Sequence, residues 1–83
     1  MYFIVYSSIT FATGIKNKFR YDEELINVVH TPAKISGTGC SYSIKVKSLA
    51  KALEIIDASE EYGVKIKGFF KQIDENSFEQ LQY

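Results

Sequence analysis

The chain has 83 residues, 46% of them hydrophobic, and its ten basic residues balance ten acidic ones. This length predicts one domain over residues 1–83, with enough apolar side chain for one two-layer core. A net charge of zero argues against nucleic acid and anionic membranes as partners, because both are usually bound through excess positive charge. No apolar run approaches the roughly 18 residues of a membrane span, so we expect no membrane segment.

The single cysteine indicates a reducing location. One thiol cannot form an internal disulfide, and the opening residues lack the basic start of a signal peptide. We therefore expect the protein in the cytoplasm.

The first half of the chain predicts a strand, a helix and a second strand. Tyr2–Tyr6 is a continuous β-branched and aromatic run that is typical of a buried strand. Residues 11–19 carry an apolar stripe at helical spacing, and Ser7 or Ser8 can cap the start of this helix. The stripe consists of Phe11, Ala12, Ile15 and Phe19. A polar turn follows, and residues 25–29 predict the second strand.

The connection that follows holds the only proline, the only histidine and the only cysteine of the chain. Pro32 ends the second strand, because proline lacks the N–H group that a strand donates to its neighbour. Residues 33–39 then form a loop or a single helical turn. Tyr42–Val46 alternates apolar and polar residues, which predicts a half-buried third strand.

The second half predicts another helix and a fourth strand. Ser48 is a suitable cap for a helix over residues 49–61, and Gly63 is placed to end it. The apolar stripe of this helix consists of Leu49, Ala52, Leu53 and Ile56. Residues 64–70 predict the fourth strand. We expect residues 1–73 to form the core of the domain and residues 74–83 to form a C-terminal tail or a short helix.

This order of elements, β-α-β-β-α-β, predicts an α+β fold. A chain of this length with this order most often forms a ferredoxin-like two-layer sandwich. It has a four-stranded antiparallel sheet, and right-handed crossovers place both helices on one face of the sheet. The other face would then be open, and its aromatic residues would suit burial in a homodimer.

Cys40 is the candidate reactive residue. It follows Gly37 and Gly39, and flexible backbone at these glycines can turn several N–H groups toward the sulfur and favour thiolate. Thiolate is the form that accepts sulfane sulfur or attacks a disulfide. Cys40 is also in phase with Tyr42 and Ile44, as expected of a small apolar residue that opens the third strand. Both interpretations remain open from the residues alone.

The neighbours of Cys40 offer supporting groups. His30 can pair with the thiol if the loop folds back, and Lys34 can supply a fixed positive charge. Ser36, Thr38 and Ser41 can donate hydrogen bonds. Histidine at a strand end and lysine on a surface also have ordinary structural roles.

Other chemistries have little support in the sequence. One cysteine and one histidine supply two ligands where zinc usually takes four, so we expect no metal and no cofactor. The loop has neither a Gly-x-Ser-x-Gly elbow nor a phosphate-binding signature. Residues 67–70 read Lys-Gly-Phe-Phe and partly imitate an RNA-contact strand. They fall on the fourth predicted strand instead of the third, which argues against RNA binding.

Three stretches of the chain carry a family resemblance. Residues 31–36 read Thr-Pro-Ala-Lys-Ile-Ser, and Gly-Thr-Gly-Cys follows them. With the opening strand that ends in serines and with Tyr-Gly-Val-Lys-Ile-Lys-Gly-Phe at residues 62–69, this pattern resembles the selenium/sulfur carrier protein-like family of small bacterial domains. In that family a Pro-x-x-Ile-Ser segment leads to a cysteine that begins a strand. The chain departs from the family at Ser41, where glycine is usual, and at Ala33, where a basic residue is common.

The resemblance implies a carrier of sulfur or selenium. Cys40 would accept the atom from a donor protein as a persulfide-type adduct and pass it to an acceptor protein. Because no second cysteine can resolve the adduct, the transfer would be intermolecular. Turnover would belong to the partners, so we expect a carrier or binding module rather than an enzyme. The alternative is a non-catalytic dimeric interaction or ligand-sensing module with a structural cysteine.

Overall fold

A computed structural model of the chain describes residues 1–19, 27–36 and 41–83, with the side chain of Ser36 left out. These residues form five strands and three helices. In chain order the elements are β1 (Tyr2–Tyr6), α1 (Ile9–Asn17), β2 (Asn27–His30), α2 (Ala33–Ser36), β3 (Tyr42–Val46), α3 (Leu49–Glu61), β4 (Ile66–Asp74) and β5 (Ser77–Gln80).

The strands form one antiparallel sheet in the order β2-β3-β1-β4-β5. The central strand is β1, which pairs with β3 on one side and with β4 on the other, so that Ile4 lies between Ile44 and Phe69. A strand with neighbours on both sides loses most of its contact with water. This position explains why every residue of β1 is aliphatic or aromatic.

Helices α1 and α3 cover one face of the sheet, which we call the helix face. Each begins at a serine cap: the Ser8 hydroxyl oxygen accepts from the Phe11 N–H, and the Ser48 hydroxyl oxygen accepts from the Lys51 N–H. Apolar side chains from both helices pack against alternate residues of the strands. This core consists of Ile4, Tyr6, Ala12, Ile15, Ile44, Val46, Ala52, Ile55, Ile56, Ile66 and Phe69.

One polar contact is buried within this core. The Ser59 hydroxyl donates to the Ile55 carbonyl oxygen at 2.9 Å, and the Tyr6 hydroxyl oxygen lies 2.6 Å from the Ser59 hydroxyl oxygen. Since a serine hydroxyl has one proton, Tyr6 is the donor in the second bond. Burial disfavours the phenolate and raises the pKa of Tyr6 to about 12.

The other face of the sheet, which we call the second face, is crossed by the start of the connection between β2 and β3, residues 31–36. Helix α2 in this connection contacts β5, which lies at the opposite edge of the sheet from β2. Helix α2 also lies toward the other end of the strands. β2 ends at His30, which pairs with Tyr42, whereas β5 pairs with the part of β4 that lies beside Phe3. From Thr31 to α2 the chain therefore runs diagonally over the sheet. Phe3 and Val5 on this face are only 3% and 4% exposed.

The prediction of an open second face is therefore wrong. Besides α2, the ring of Phe78 from β5 covers this face, and it meets the ring of Phe3 edge-on with 5.5 Å between centroids. Phe70 adds to the cover by lying over Gly68, where a Cβ atom would stand 2.8 Å from the Phe70 ring. The glycine leaves the space that the aromatic ring fills.

The predicted ferredoxin-like sheet is also wrong in the number of its strands and in its order. The described residues form a five-stranded sheet with three helices, where the sequence predicted four strands and two helices. The additional strand β5 stands where a tail or a short helix was expected. The cause is a tight turn in which the Asp74 carboxylate accepts from the Asn76 N–H at 2.9 Å, and this bond holds the pKa of Asp74 below its usual value.

The remaining elements lie close to their predicted positions. The predicted second strand overlaps β2, and its residues 25 and 26 lie outside the described residues. The connection contains one helical turn, α2, which is one of the two predicted forms. No helix in the described ranges is both long enough and apolar enough to cross a membrane.

Candidate functional site

The connection that carries Cys40 starts and ends at three buried residues, Thr31, Ser41 and Ser43, which we call the loop neck. The Thr31 N–H donates to the Ser41 carbonyl oxygen at 3.0 Å. The Thr31 and Ser43 hydroxyl oxygens lie 2.7 Å apart, and either can be the donor. These two bonds tie the departing chain at Thr31 to the returning chain at Ser41 and Ser43.

The local sequence explains how the loop leaves the sheet. Because Pro32 follows, Thr31 is held in an extended conformation, which is compatible with the end of β2. The Pro32 carbonyl oxygen then accepts from the Ile35 N–H at 2.9 Å and starts the helical turn of α2. Ile35 is partly buried, whereas Ala33 and Lys34 are exposed. The turn thus presents Lys34 to solvent.

Four of the predicted site residues, Gly37, Thr38, Gly39 and Cys40, lie outside the described residues. Their peptide neighbour Ser41 is described, and it is 5% exposed and bonded through its carbonyl oxygen to Thr31. Ser36 is the last residue of α2, and its side chain is not described. Of the predicted groups around Cys40, the structure therefore describes the side chains of His30, Lys34 and Ser41.

His30 lies at the end of β2 and faces the helix face. It pairs with Tyr42 across the two strands, and the two rings are 4.8 Å apart with a tilt of 38°. Successive residues of a strand point to opposite faces, so the next residue, Thr31, points to the second face. The imidazole ring is exposed to solvent. His30 and the hydroxyl pair of the loop neck therefore stand on opposite sides of the same strand end.

The sequence analysis missed the hydroxyl pair. Ser43 occupies an alternating polar position of the third strand, and such positions usually face water. Here its side chain is 0% exposed and is satisfied by Thr31. The only signal in the sequence was a β-branched hydroxyl residue directly before the single proline, and it does not identify a partner twelve residues away.

The segment Lys-Gly-Phe-Phe, which partly imitated an RNA-contact strand, is used for packing. Phe69 is 1% exposed in the core of the helix face, and Phe70 is partly buried over Gly68 on the second face. Rings placed in this way contribute to the fold. Among the described residues, no three His, Cys, Asp or Glu side chains form a group that can hold a metal ion.

Comparison with known proteins supplies one match. A family model described as Putative Se/S carrier protein-like matches residues 1–71 of the chain. The matched range includes the loop neck and residues 32–40 with Cys40, and it ends within β4, so that β5 lies beyond it. Comparison with curated proteins and with solved structures gave no match.

Proposed function

We propose that this chain, which belongs to the Putative Se/S carrier protein-like family, carries a sulfur or selenium atom on the thiol of Cys40. The observation that supports the proposal most is the family match over residues 1–71, because this range contains the only thiol of the chain. A carrier of this kind works with donor and acceptor proteins. The chemistry therefore has to be reversible and has to leave Cys40 unchanged after each transfer.

The transfer consists of two thiol exchange steps. The Cys40 thiolate attacks the terminal sulfur of a donor persulfide, so a new S–S bond forms while the donor S–S bond breaks and the donor leaves as a thiolate. An acceptor thiolate then attacks the outer sulfur of the Cys40 persulfide, and Cys40 leaves as a thiolate. No net oxidation occurs in either step. Selenium in place of the transferred sulfur follows the same sequence.

The loop neck supports this function because one of its residues, Ser41, directly follows Cys40 in the chain. Ser41 is joined to Cys40 by a peptide bond, is buried, and is bonded to Thr31, which is itself bonded to Ser43. A reactive group placed beside a rigid strand is held more accurately than one in the middle of a free loop. The neck thus anchors the residue that follows Cys40 to the sheet.

Other groups near Cys40 complete the proposal. Gly37 and Gly39 shape the backbone so that N–H groups stabilise the thiolate. Ser36, Thr38 and Ser41 donate hydrogen bonds, and Lys34 supplies positive charge from the exposed side of α2. His30 assists only if the loop approaches the imidazole around the end of β2. The reducing cytoplasm is the compartment that keeps such a thiol free.

Sulfur transfer to the purified protein tests the proposal. The full chain is incubated with a cysteine desulfurase and free cysteine, and the intact mass is measured. We expect a gain of about 32 Da, one sulfur atom, which Cys40→Ser abolishes. The control is Cys40→Ser combined with Ser77→Cys, which places one thiol at an exposed position of β5. This control should gain little sulfur.

Two results would contradict the carrier function. One is the absence of an adduct on the unaltered chain, together with alkylation of Cys40 by iodoacetamide at the rate of an ordinary thiol. The other is equal sulfur uptake by the Ser77→Cys control, which would mean that any exposed thiol is loaded. Either result would favour the alternative of a dimeric interaction module with a structural cysteine.

A further inference from the structure

A pocket of about 140 Å³ opens on the second face, at the end of the sheet away from the loop neck. Its described lining consists of Met1, Asn27, Lys45 and Lys47. Asn27 begins β2 and Thr31 follows its end, so the pocket and the loop neck are separated by about 13 Å along the strand. The pocket is therefore distinct from the proposed carrier site.

The register of the sheet explains why these residues face one cavity. Lys45 pairs with Asn27 on one side and with Phe3 on the other. Met1 is two residues before Phe3 and Lys47 is two residues after Lys45, so both share their face. The pocket is thus built from the ends of three neighbouring strands.

Two contacts hold the lining in place. The Met1 carbonyl oxygen accepts from the Gln72 N–H at 2.8 Å, which fixes the start of β1 against β4. The Lys45 ammonium group lies 5.7 Å from the centre of the Phe3 ring, within the range of a cation–π contact, and its side chain is partly buried. The Lys45 ammonium group therefore lies on this face of the sheet.

The charged groups that line the pocket indicate that its ligand is an anion. Lys45 and Lys47 supply two ammonium groups and Asn27 supplies an amide, while no aspartate or glutamate is among the described lining residues. Ammonium groups bind phosphate as point charges, and an amide N–H can donate to a phosphate oxygen. The volume is close to that of a cavity that admits benzene, so it accommodates a ligand of about six heavy atoms.

We propose that the pocket between Lys45, Lys47 and Asn27 binds a small tetrahedral oxyanion of the phosphate class, free or as the end group of a small ester. This site does not depend on the proposed function of Cys40. A Cys40→Ser variant binds the anion as well as the unaltered chain does. The two proposals therefore fail separately.

Titration with inorganic phosphate tests the site. The full chain, labelled with nitrogen-15, is titrated at constant ionic strength while amide chemical shifts are followed. We expect saturable shifts centred on Asn27, Lys45 and Lys47. The double variant Lys45→Gln/Lys47→Gln should bind at least tenfold more weakly, because both ammonium groups are removed.

A matched control separates a site from general attraction. Lys65→Gln/Lys67→Gln removes the same charge at exposed positions beside the other end of the sheet, and it should change the affinity by less than about twofold. If the first double variant does not fold, Lys47→Gln alone keeps the Lys45 contact with Phe3 and should still weaken binding severalfold. Methyl phosphate in place of phosphate should bind with similar affinity if an ester end group fits.

Three results would overturn the proposal. The first is a set of shifts that does not saturate, and the second is an equal loss of binding in both double variants. The third is equally tight binding of acetate, which would mean that the pocket attracts any anion. Weaker binding of methyl phosphate than of phosphate would restrict the ligand to the free oxyanion and would support the site in that form.

Discussion

The two faces of the sheet are buried by different means. The helix face is covered by two capped helices, α1 and α3, of 9 and 13 residues, and its core is almost entirely apolar. The second face is crossed by α2, a helix of 4 residues, and it buries a hydroxyl pair and keeps a lysine over an aromatic ring. The difference indicates that the helix face supplies most of the stability, whereas the second face holds the buried hydroxyl pair and the lysine that can take part in binding.

The first and largest test of this difference compares two phenylalanines. Phe69 on the helix face and Phe3 on the second face are 1% and 3% exposed. We expect Phe69→Ala to lower the free energy of unfolding by about 5 kcal/mol and Phe3→Ala by about 3 kcal/mol, since the Phe78 ring can settle into the space that Phe3 leaves. Urea denaturation measures both, and the Phe→Leu variants serve if either alanine variant unfolds. Equal losses would mean that the two faces are packed equally well.

The second test uses the buried phenol of the helix face. The pKa of Tyr6 is raised to about 12, against 10.0 for a free side chain. Between these two pH values the folded protein keeps the phenol proton, whereas the unfolded chain releases it. The free energy of unfolding therefore falls as the pH rises from about 10 to 12. The loss is about 2 kcal/mol by about pH 12, with a slope of about 1 kcal/mol per pH unit between the two pKa values. Urea denaturation at pH 9 and pH 11 measures it, and Tyr6→Phe should remove this part of the pH dependence.

The third test concerns the loop neck on the second face. Ser43→Ala leaves the buried Thr31 hydroxyl without its partner, so we expect a loss of about 2 kcal/mol in the free energy of unfolding. The double variant Thr31→Val/Ser43→Ala removes both hydroxyls and should recover at least half of this loss. A double variant as unstable as the sum of the two single ones would show that the two hydroxyls act independently.

The smallest effect on the free energy of unfolding is expected for a contact on the outer surface of the helices. The Lys18 ammonium group lies 3.8 Å from the centre of the exposed Tyr62 ring, so it joins the C-terminal ends of α1 and α3. Tyr62→Leu should lower the free energy of unfolding by about 0.5 kcal/mol, because exposed cation–π contacts are weak. A double-mutant cycle with Lys18→Gln isolates this contact. A coupling near zero would show that the helix face is stable without it.

The centres of the helical stripes were predictable from the sequence, but their edges were not. Ala12, Ile15 and Ala52 are buried as the helical spacing indicated. Phe11 and Leu53 belong to the same stripes, yet they are 46% and 41% exposed. Spacing alone defines a broad apolar side of a helix, and the neighbouring strands determine how much of that side they contact.

The candidate site stays a prediction from the sequence. The rare residues between the second and third strands and the family resemblance point to Cys40 and its loop, and the family model matches the range that contains them. The pairing of Thr31 with Ser43 and the grouping of Lys45 and Lys47 with Asn27 could not be found in this way. Each group joins residues of different strands, and the polarity of each residue alone predicts only a solvent-facing position.

The sequence by itself determined the local elements and the family. Apolar runs, helical spacing, two serine caps and one proline are properties of neighbouring residues, and they predict where β1, α1, β3, α3 and the start of β4 lie. Only the tertiary structure determined how the second face of the sheet is covered. The diagonal course of α2, the addition of β5 and the burial of Ser43 depend on contacts between residues far apart in the chain, and local periodicity carries no information about them.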